Sequence, residues 1–193
     1  MKSAETQPRP ARERILDTAG LLFYRDGFQA VGVDTIIAES GVAKMTLYRH
    51  FPSKDDLIAA YLERANQQFW SWLDSATADV KDPRAKLIAM FDSVTKVATS
   101  PQCLGCSFQG AALEFPVREH PAHRIALAHK ETVRERMRTL AQEAGLRDPE
   151  ALANQLLMLM DGAWIAARMY GPHNPAVDLG LAVRTLVDAH GLH

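Results

Sequence analysis

Two cysteines in 193 residues, Cys103 and Cys106, cannot build a disulfide scaffold, so the chain must fold on its hydrophobic core. No apolar run approaches the roughly 18–20 residues needed to cross a bilayer. The opening Met1–Thr6 is polar and lacks the apolar stretch of a secretory signal. A reducing, cytoplasmic location with no membrane partner is the expectation. There is no glycine-rich phosphate loop, no Gly-x-Ser-x-Gly elbow and no His-Glu-x-x-His pair, so nothing points to an enzyme, and no catalytic residue, cofactor or metal is expected. Strict apolar–polar alternation is missing too, which argues against a sheet. Charge has no bias: the net is −1, with 7 Lys/Arg against 6 Asp/Glu in residues 1–52 and 15 against 17 in the remainder. A DNA binder needs only a local cluster of cations facing phosphate, so this balance decides nothing about nucleic acid.

Helical periodicity fills the chain instead, and its breaks predict an all-α fold of nine helices. The first spans about Pro10–Arg25, with Ile15, Leu16, Ala19, Leu22 and Phe23 on one face and Gly27 beyond its end. Two short helices, Val33–Ser40 and Lys44–His50, flank Gly41. Ser53 then caps a long helix in which Leu57, Ile58, Tyr61, Leu62, Phe69, Trp72 and Leu73 recur at helical spacing. Further helices follow over Arg84–Thr99, Cys103–Phe115, Ala122–Ala144, Asp148–Tyr170 and Ala176–Ala189, punctuated by proline and glycine. The Asp148–Tyr170 segment is apolar around nearly its whole circumference, and such a helix must be covered on every side. In a chain this small the cover is expected from the same helix of a second subunit, with the last helix beside it. A charge at Leu156 or Ala163 is then expected to dissociate a homodimer or to unfold it.

Function concentrates in Thr35–Phe51. Ile36, Ile37, Val42, Leu47 and Phe51 can pack inward and lock two helices at a fixed crossing, which leaves Lys44, Met45, Thr46, Tyr48, Arg49 and His50 outward on the second. A helix carrying donors, cations and an aromatic within two turns suits a major groove, which is wide enough to admit it and displays base-specific donors and acceptors.

The string Gly41-Val42-Ala43-Lys44-Met45-Thr46-Leu47-Tyr48-Arg49-His50-Phe51, followed by Ser53-Lys54 and Leu57, resembles the recognition helix of the TetR family of one-component regulators. Ile15–Ala19, Leu22-Phe23 and Gly27-Phe28 are similar to that family's first helix, so the resemblance covers about residues 10–60. It implies an N-terminal three-helix, helix-turn-helix DNA-binding domain at 1–52 and a C-terminal helical ligand-binding and dimerisation domain at 53–193. It also implies that Thr46, Tyr48, His50 and Lys54 touch backbone phosphate, and that Lys44 and Met45 read base edges. Arg49 is left to hold phosphate or read guanine. Arg9, Arg12 and Arg14 are candidates for an arm along the DNA. Two departures stand out: Gly32-Val33 replaces the usual hydroxyl residue at the start of the second helix, and Ile37 stands where alanine is usual.

The implied activity is that of a transcription regulator, a repressor by family default, which binds palindromic operator DNA as a homodimer and is released by a small organic effector. Phe69, Phe91, Phe108, Ala112, Met158 and Trp164 are the residues expected to form a largely apolar effector cavity, with Glu114 or His129 orienting a polar end. Asp161 is expected to pair with Arg168, to meet an amide across the dimer or to line that cavity. A metal- or redox-sensing regulator using Cys103, Cys106, His120 and His123 is the alternative, since four such donors could hold zinc.

Overall fold

A computed structural model describes residues 9–191, so the first eight and last two residues of the two expected domains lie outside it. Among the described residues the regular structure is nine α-helices and one 3₁₀ turn, with no strand, as the periodicity predicts. The helices are α1 (Ala11–Asp26), α2 (Val33–Ser40), α3 (Lys44–His50), α4 (Lys54–Ala76), α5 (Pro83–Ala98), α6 (Ser107–Glu114), α7 (Pro121–Glu143), α8 (Pro149–Tyr170) and α9 (Leu179–Ala189), with the 3₁₀ turn at Pro175–Asp178. None of them is long and apolar enough to cross a membrane.

Capping chemistry sets several of these starts. Ser53 accepts the Asp56 N–H at 3.1 Å to open α4, and Asp82 accepts that of Ala85 at 2.7 Å to open α5. His120 Nδ1 accepts the Ala122 N–H to open α7, and proline leads α5, α7 and α8. The helix predicted from Cys103 begins only at Ser107. Residues 103–106 are instead drawn out beneath α1, where the Tyr24 hydroxyl takes the Leu104 N–H at 2.8 Å.

Two hydrophobic cores form, and they do not divide at residue 52. One gathers Ile15, Leu16, Phe23, Phe28, Ile36, Leu47 and Phe51 with Leu57–Leu62 of α4, and it also takes in Phe108, Ala111 and Phe115 of the α6 segment. The other joins Leu73 at the far end of α4 to α5, α7, α8 and α9. The long α4 is therefore a beam built into both cores, and α6 is a second bridge.

Candidate nucleic-acid interface and effector cavity

Leu47 is the one fully buried side chain of α3, held between α1 and α2 in the N-terminal core. Its neighbours point away: Lys44, Met45, Tyr48, Arg49 and His50 are exposed, Met45 by 75%, and Thr46 is half-buried. Cations, hydrogen-bond donors and one open apolar side chain thus share the outer face of this helix. The turn before it is rigid. Gly41 ends α2 in the left-handed conformation (φ 62°), a position that costs glycine nothing. Arg14 reaches from α1 to the Ser40 and Gly41 carbonyls at 2.6 and 3.0 Å. The Arg12 guanidinium lies 5.2 Å over the Phe51 ring and Arg9 meets Asp17 at 3.2 Å. The three arginines that are candidates for a DNA arm are thus engaged within the protein, two of them in fixing α3. Lys44 and Lys54 make only long contacts, 3.4 Å to Asp34 and 3.4 Å to the Gln29 carbonyl, and Lys44 is well exposed. Val33 and Gly32 leave α2 without a side-chain cap. Ile37 is half-buried against the core.

A cavity of about 440 Å³ lies among α4, α6, α7 and α8, with Tyr24 of α1 in its wall. Phe69, Phe108 and Trp164 line it. Phe91 does not: it is fully buried in the C-terminal core. Ala112 faces the N-terminal core and Met158 is 67% exposed on the outer side of α8. Tyr24, Tyr61, Trp72 and Met160 complete the apolar wall instead. Both tyrosines are anchored. Burial pushes the Tyr24 hydroxyl up to about 12, so it stays protonated and donates to the Gly105 carbonyl at 3.1 Å. Tyr61 shares a 2.7 Å hydrogen bond with Ser107.

His129 is the buried polar group of this wall. Its ring stacks on Phe108 (centroids 3.7 Å, planes 11° apart) and meets the edge of Phe69 at 4.8 Å. Burial and the neighbouring Lys130 push its pKa down to about 3, so the imidazole is neutral at physiological pH. Unfolding restores the ordinary value near 6.5, so the unfolded chain binds the extra proton as pH falls from 6.5 towards 3 and the fold loses stability there. Between pH 7 and pH 5 this one group is expected to cost about 2 kcal/mol. Urea melts of wild type and His129→Phe at both pH values test it: the variant should lose less stability on acidification, and equal losses would place the histidine in contact with water.

The metal site of the cysteine–histidine alternative is not assembled. His123 Nδ1 contacts the Phe115 carbonyl at 2.9 Å, and His120 caps α7 while stacking on Phe115. Cys103 and Cys106 are both free and border the cavity. Among the described residues no group of three or more His, Cys, Asp or Glu could hold a metal ion. Asp161 pairs with Lys130 of α7 rather than with Arg168, whose guanidinium is directed to the Tyr24, Arg25 and Leu104 carbonyls.

Glu114 is not in the cavity either. At the end of α6 it accepts the Phe28 and Gln29 N–H groups at 3.0 and 2.6 Å, clasping the loop between α1 and α2. Gly27 (φ 94°) makes the approach possible, since a Cβ there would sit 2.9 Å from Glu114 Oε1. The Gln29 carbonyl in turn receives Lys54. One eight-residue helix therefore has the cavity at its first turn, through Ser107 and Phe108, and the loop between α1 and α2 at its last.

Comparison with known proteins agrees with this architecture. The sequence profile of the bacterial regulatory proteins, tetR family, matches residues 15–61. A TetR-family transcriptional regulator from Streptomyces coelicolor is 34% identical, covering 93% of this chain and 95% of that one, with a TM-score of 0.89. A TetR-type regulator from Streptomyces avermitilis is 33% identical over 96% of this chain and all of its own (100%), with a TM-score of 0.86. The HTH-type transcriptional repressor KstR2 of Rhodococcus jostii is 26% identical over 169 residues, 83% of this chain and 80% of its own. The chain spans about half the length, 48%, of two HTH-type regulators of Mycobacterium tuberculosis that it also matches, at 29% identity.

Proposed function

Since the chain belongs to the tetR family of bacterial regulatory proteins, DNA-binding transcription regulators rather than enzymes, we propose that it represses transcription as a homodimer on a palindromic operator and leaves the DNA when a small, largely apolar organic effector fills the aromatic cavity. Residues 1–52 hold the DNA-reading surface in this reading, and residues 53–193 bind effector and partner. The observation that carries it is the position of the cavity: Tyr24 of α1 and Tyr61 of α4 are wall residues, so a ligand there bears on the helices that set α3. Two recognition helices must fit successive turns of one DNA face, about 34–36 Å apart, and small displacements spoil that fit. The required coupling is on the order of 1–3 kcal/mol.

Filling the cavity separates this reading from a ligand-independent regulator. Ala65 borders the cavity on α4, away from α3. Ala65→Trp puts an indole into the effector's volume, so it is expected to lose effector-induced release, with an operator affinity at or below that of wild type because the indole itself bears on α1 and α4. Operator release followed by fluorescence anisotropy across a library of aromatic compounds reads both. Equal release of variant and wild type by every active compound would remove the cavity from the mechanism.

Contacts on α3 and α4 divide by kind. Lys54→Ala should weaken binding to every sequence and lower the salt slope of log K by about one, the signature of a lost phosphate contact. Lys44→Ala and Met45→Ala should instead alter operator preference, by about 1–3 kcal/mol at the affected base pair. Selection from a randomised pool, with titration at several salt concentrations, distinguishes them; an unchanged salt slope for Lys54→Ala would take this lysine off the backbone.

A further inference from the structure

The hydrogen bonding around His129 narrows the class of effector, on the premise that the cavity is the effector site. Asn66 Oδ1 lies 3.1 Å from the Trp70 indole nitrogen and 2.7 Å from His129 Nδ1. An indole N–H only donates, so this atom of Asn66 is an acceptor, and the proton it receives from His129 resides on Nδ1. The imidazole is neutral, which leaves Nε2 with a lone pair and no hydrogen. Among the described residues the hydrogen bond of this imidazole is made through Nδ1 and none engages Nε2, while Phe108 and Phe69 flank the ring. Charge is absent from the rest of the wall. Lys130, the cavity's one cation, is matched by the Asp161 carboxylate, and both tyrosine hydroxyls are occupied. An anionic ligand would have to break that ion pair or remain unpaired in an apolar site. A volume of about 440 Å³ bordered by Tyr24, Tyr61, Phe69, Trp72, Phe108 and Trp164 accommodates a flat ring system.

We propose that the effector is an uncharged aromatic compound carrying a hydrogen-bond donor, of the naphthol type, whose ring lies among Phe69, Trp72, Phe108 and Trp164 and whose O–H donates to His129 Nε2. Asn66 acts as a positioning residue: it holds the proton on Nδ1 and so keeps Nε2 an acceptor.

Three probes of one shape test this by calorimetry on the full chain: 2-naphthol, 2-methylnaphthalene and 2-naphthoate. The neutral donor should bind at least about tenfold tighter than either analogue, the equivalent of one desolvated hydrogen bond. His129→Phe should reduce 2-naphthol to the affinity of the methyl compound. Asn66→Asp should charge the imidazole and reverse the order, so that 2-naphthoate binds best; this variant serves if the first fails to fold. Comparable binding of 2-naphthol and 2-methylnaphthalene to wild type, or a preference for 2-naphthoate, overturns the donor assignment while leaving the cavity as the effector site. Binding that survives Ala65→Trp undiminished, or no binding by any of the three, overturns the proposal together with the cavity reading beneath it.

Discussion

A Met158→Asp, Ile165→Asp double variant is expected to sediment as a folded monomer and to bind operator about 10²–10⁴-fold more weakly than wild type. The all-round apolar α8 divides into two faces. Leu152, Leu156, Met160, Ala163, Trp164 and Ala167 are buried within their own chain. Met158, Ile165 and Met169, spaced seven and four residues apart, form an outer stripe that is 67%, 40% and 68% exposed, with Gly162 between them and Leu181 of α9, 67% exposed, alongside. A groove of about 260 Å³ floored by small residues, Gly162, Ala166 and Ala182, runs between the two helices. A two-fold interface on this stripe would set each new aspartate near its own copy, so repulsion and desolvation act together. The protomer should survive, because substitutions at sites exposed in the monomer usually change stability by no more than about 0.5 kcal/mol. Loss of operator affinity then follows from losing the second half-site. Sedimentation and circular dichroism check both halves of the claim. A wild-type monomer at micromolar concentration, or an undisturbed dimer in the variant, would remove this face from assembly. Leu156, by contrast, is fully buried in its own chain, so a charge there is expected to unfold the protomer rather than to separate it from a partner.

That distinction shows where sequence reading runs out. Periodicity locates α8 but cannot say which side its own chain covers when every side is apolar. It places α3 well, because a glycine turn, inward apolar spacing and an outward polar face are all encoded within 17 residues. Phe91 and Met158 have the same character on paper as Phe69 and Trp164; only tertiary packing sends one to the core, one to the surface and two to the cavity. Tyr24 is invisible as a cavity residue because α1 reads as a DNA-binding helix, and its role depends on the drawn-out 103–106 segment that interrupts a pattern predicted as helix. The division at residue 52 follows the motif, whereas the hydrophobic core runs on through Leu62 and collects α6. Glu114 is legible only as a polar residue on an apolar helix. Its partners are backbone amides 85 and 86 residues earlier, and a backbone amide has no sequence signature.

Those two amides make Glu114→Gln the sharpest test of how the cavity reaches the DNA. The side chain keeps its shape, but one oxygen becomes an NH₂ group set against an N–H, so one of the two bonds is replaced by a donor–donor clash and the other loses its charge. Stability should fall by about 1–2 kcal/mol; the Gln29 side of the clasp is exposed, which keeps the figure at the lower end of the range for charged hydrogen bonds. The effect on coupling should be larger in proportion. α6 spans about 10 Å from Ser107 to Glu114 at the usual helical rise. A ligand that displaces Phe108 or Ser107 would pull on the loop at Phe28 and Gln29, and through the Gln29 carbonyl on Lys54. With a coupling energy on the order of 1–3 kcal/mol, loss of a clasp of similar strength can abolish it. Effector binding by calorimetry should stay within about twofold of wild type, since Glu114 is outside the cavity. Effector-induced release of operator should nearly vanish. The competing route is α4, which borders the cavity at Tyr61, Phe69 and Trp72 and carries Lys54 at its first turn. If Glu114→Gln releases operator as fully as wild type at saturating effector, tilting of α4 alone transmits the signal and the clasp is structural. If release is lost while binding persists, α6 is the transmitting element.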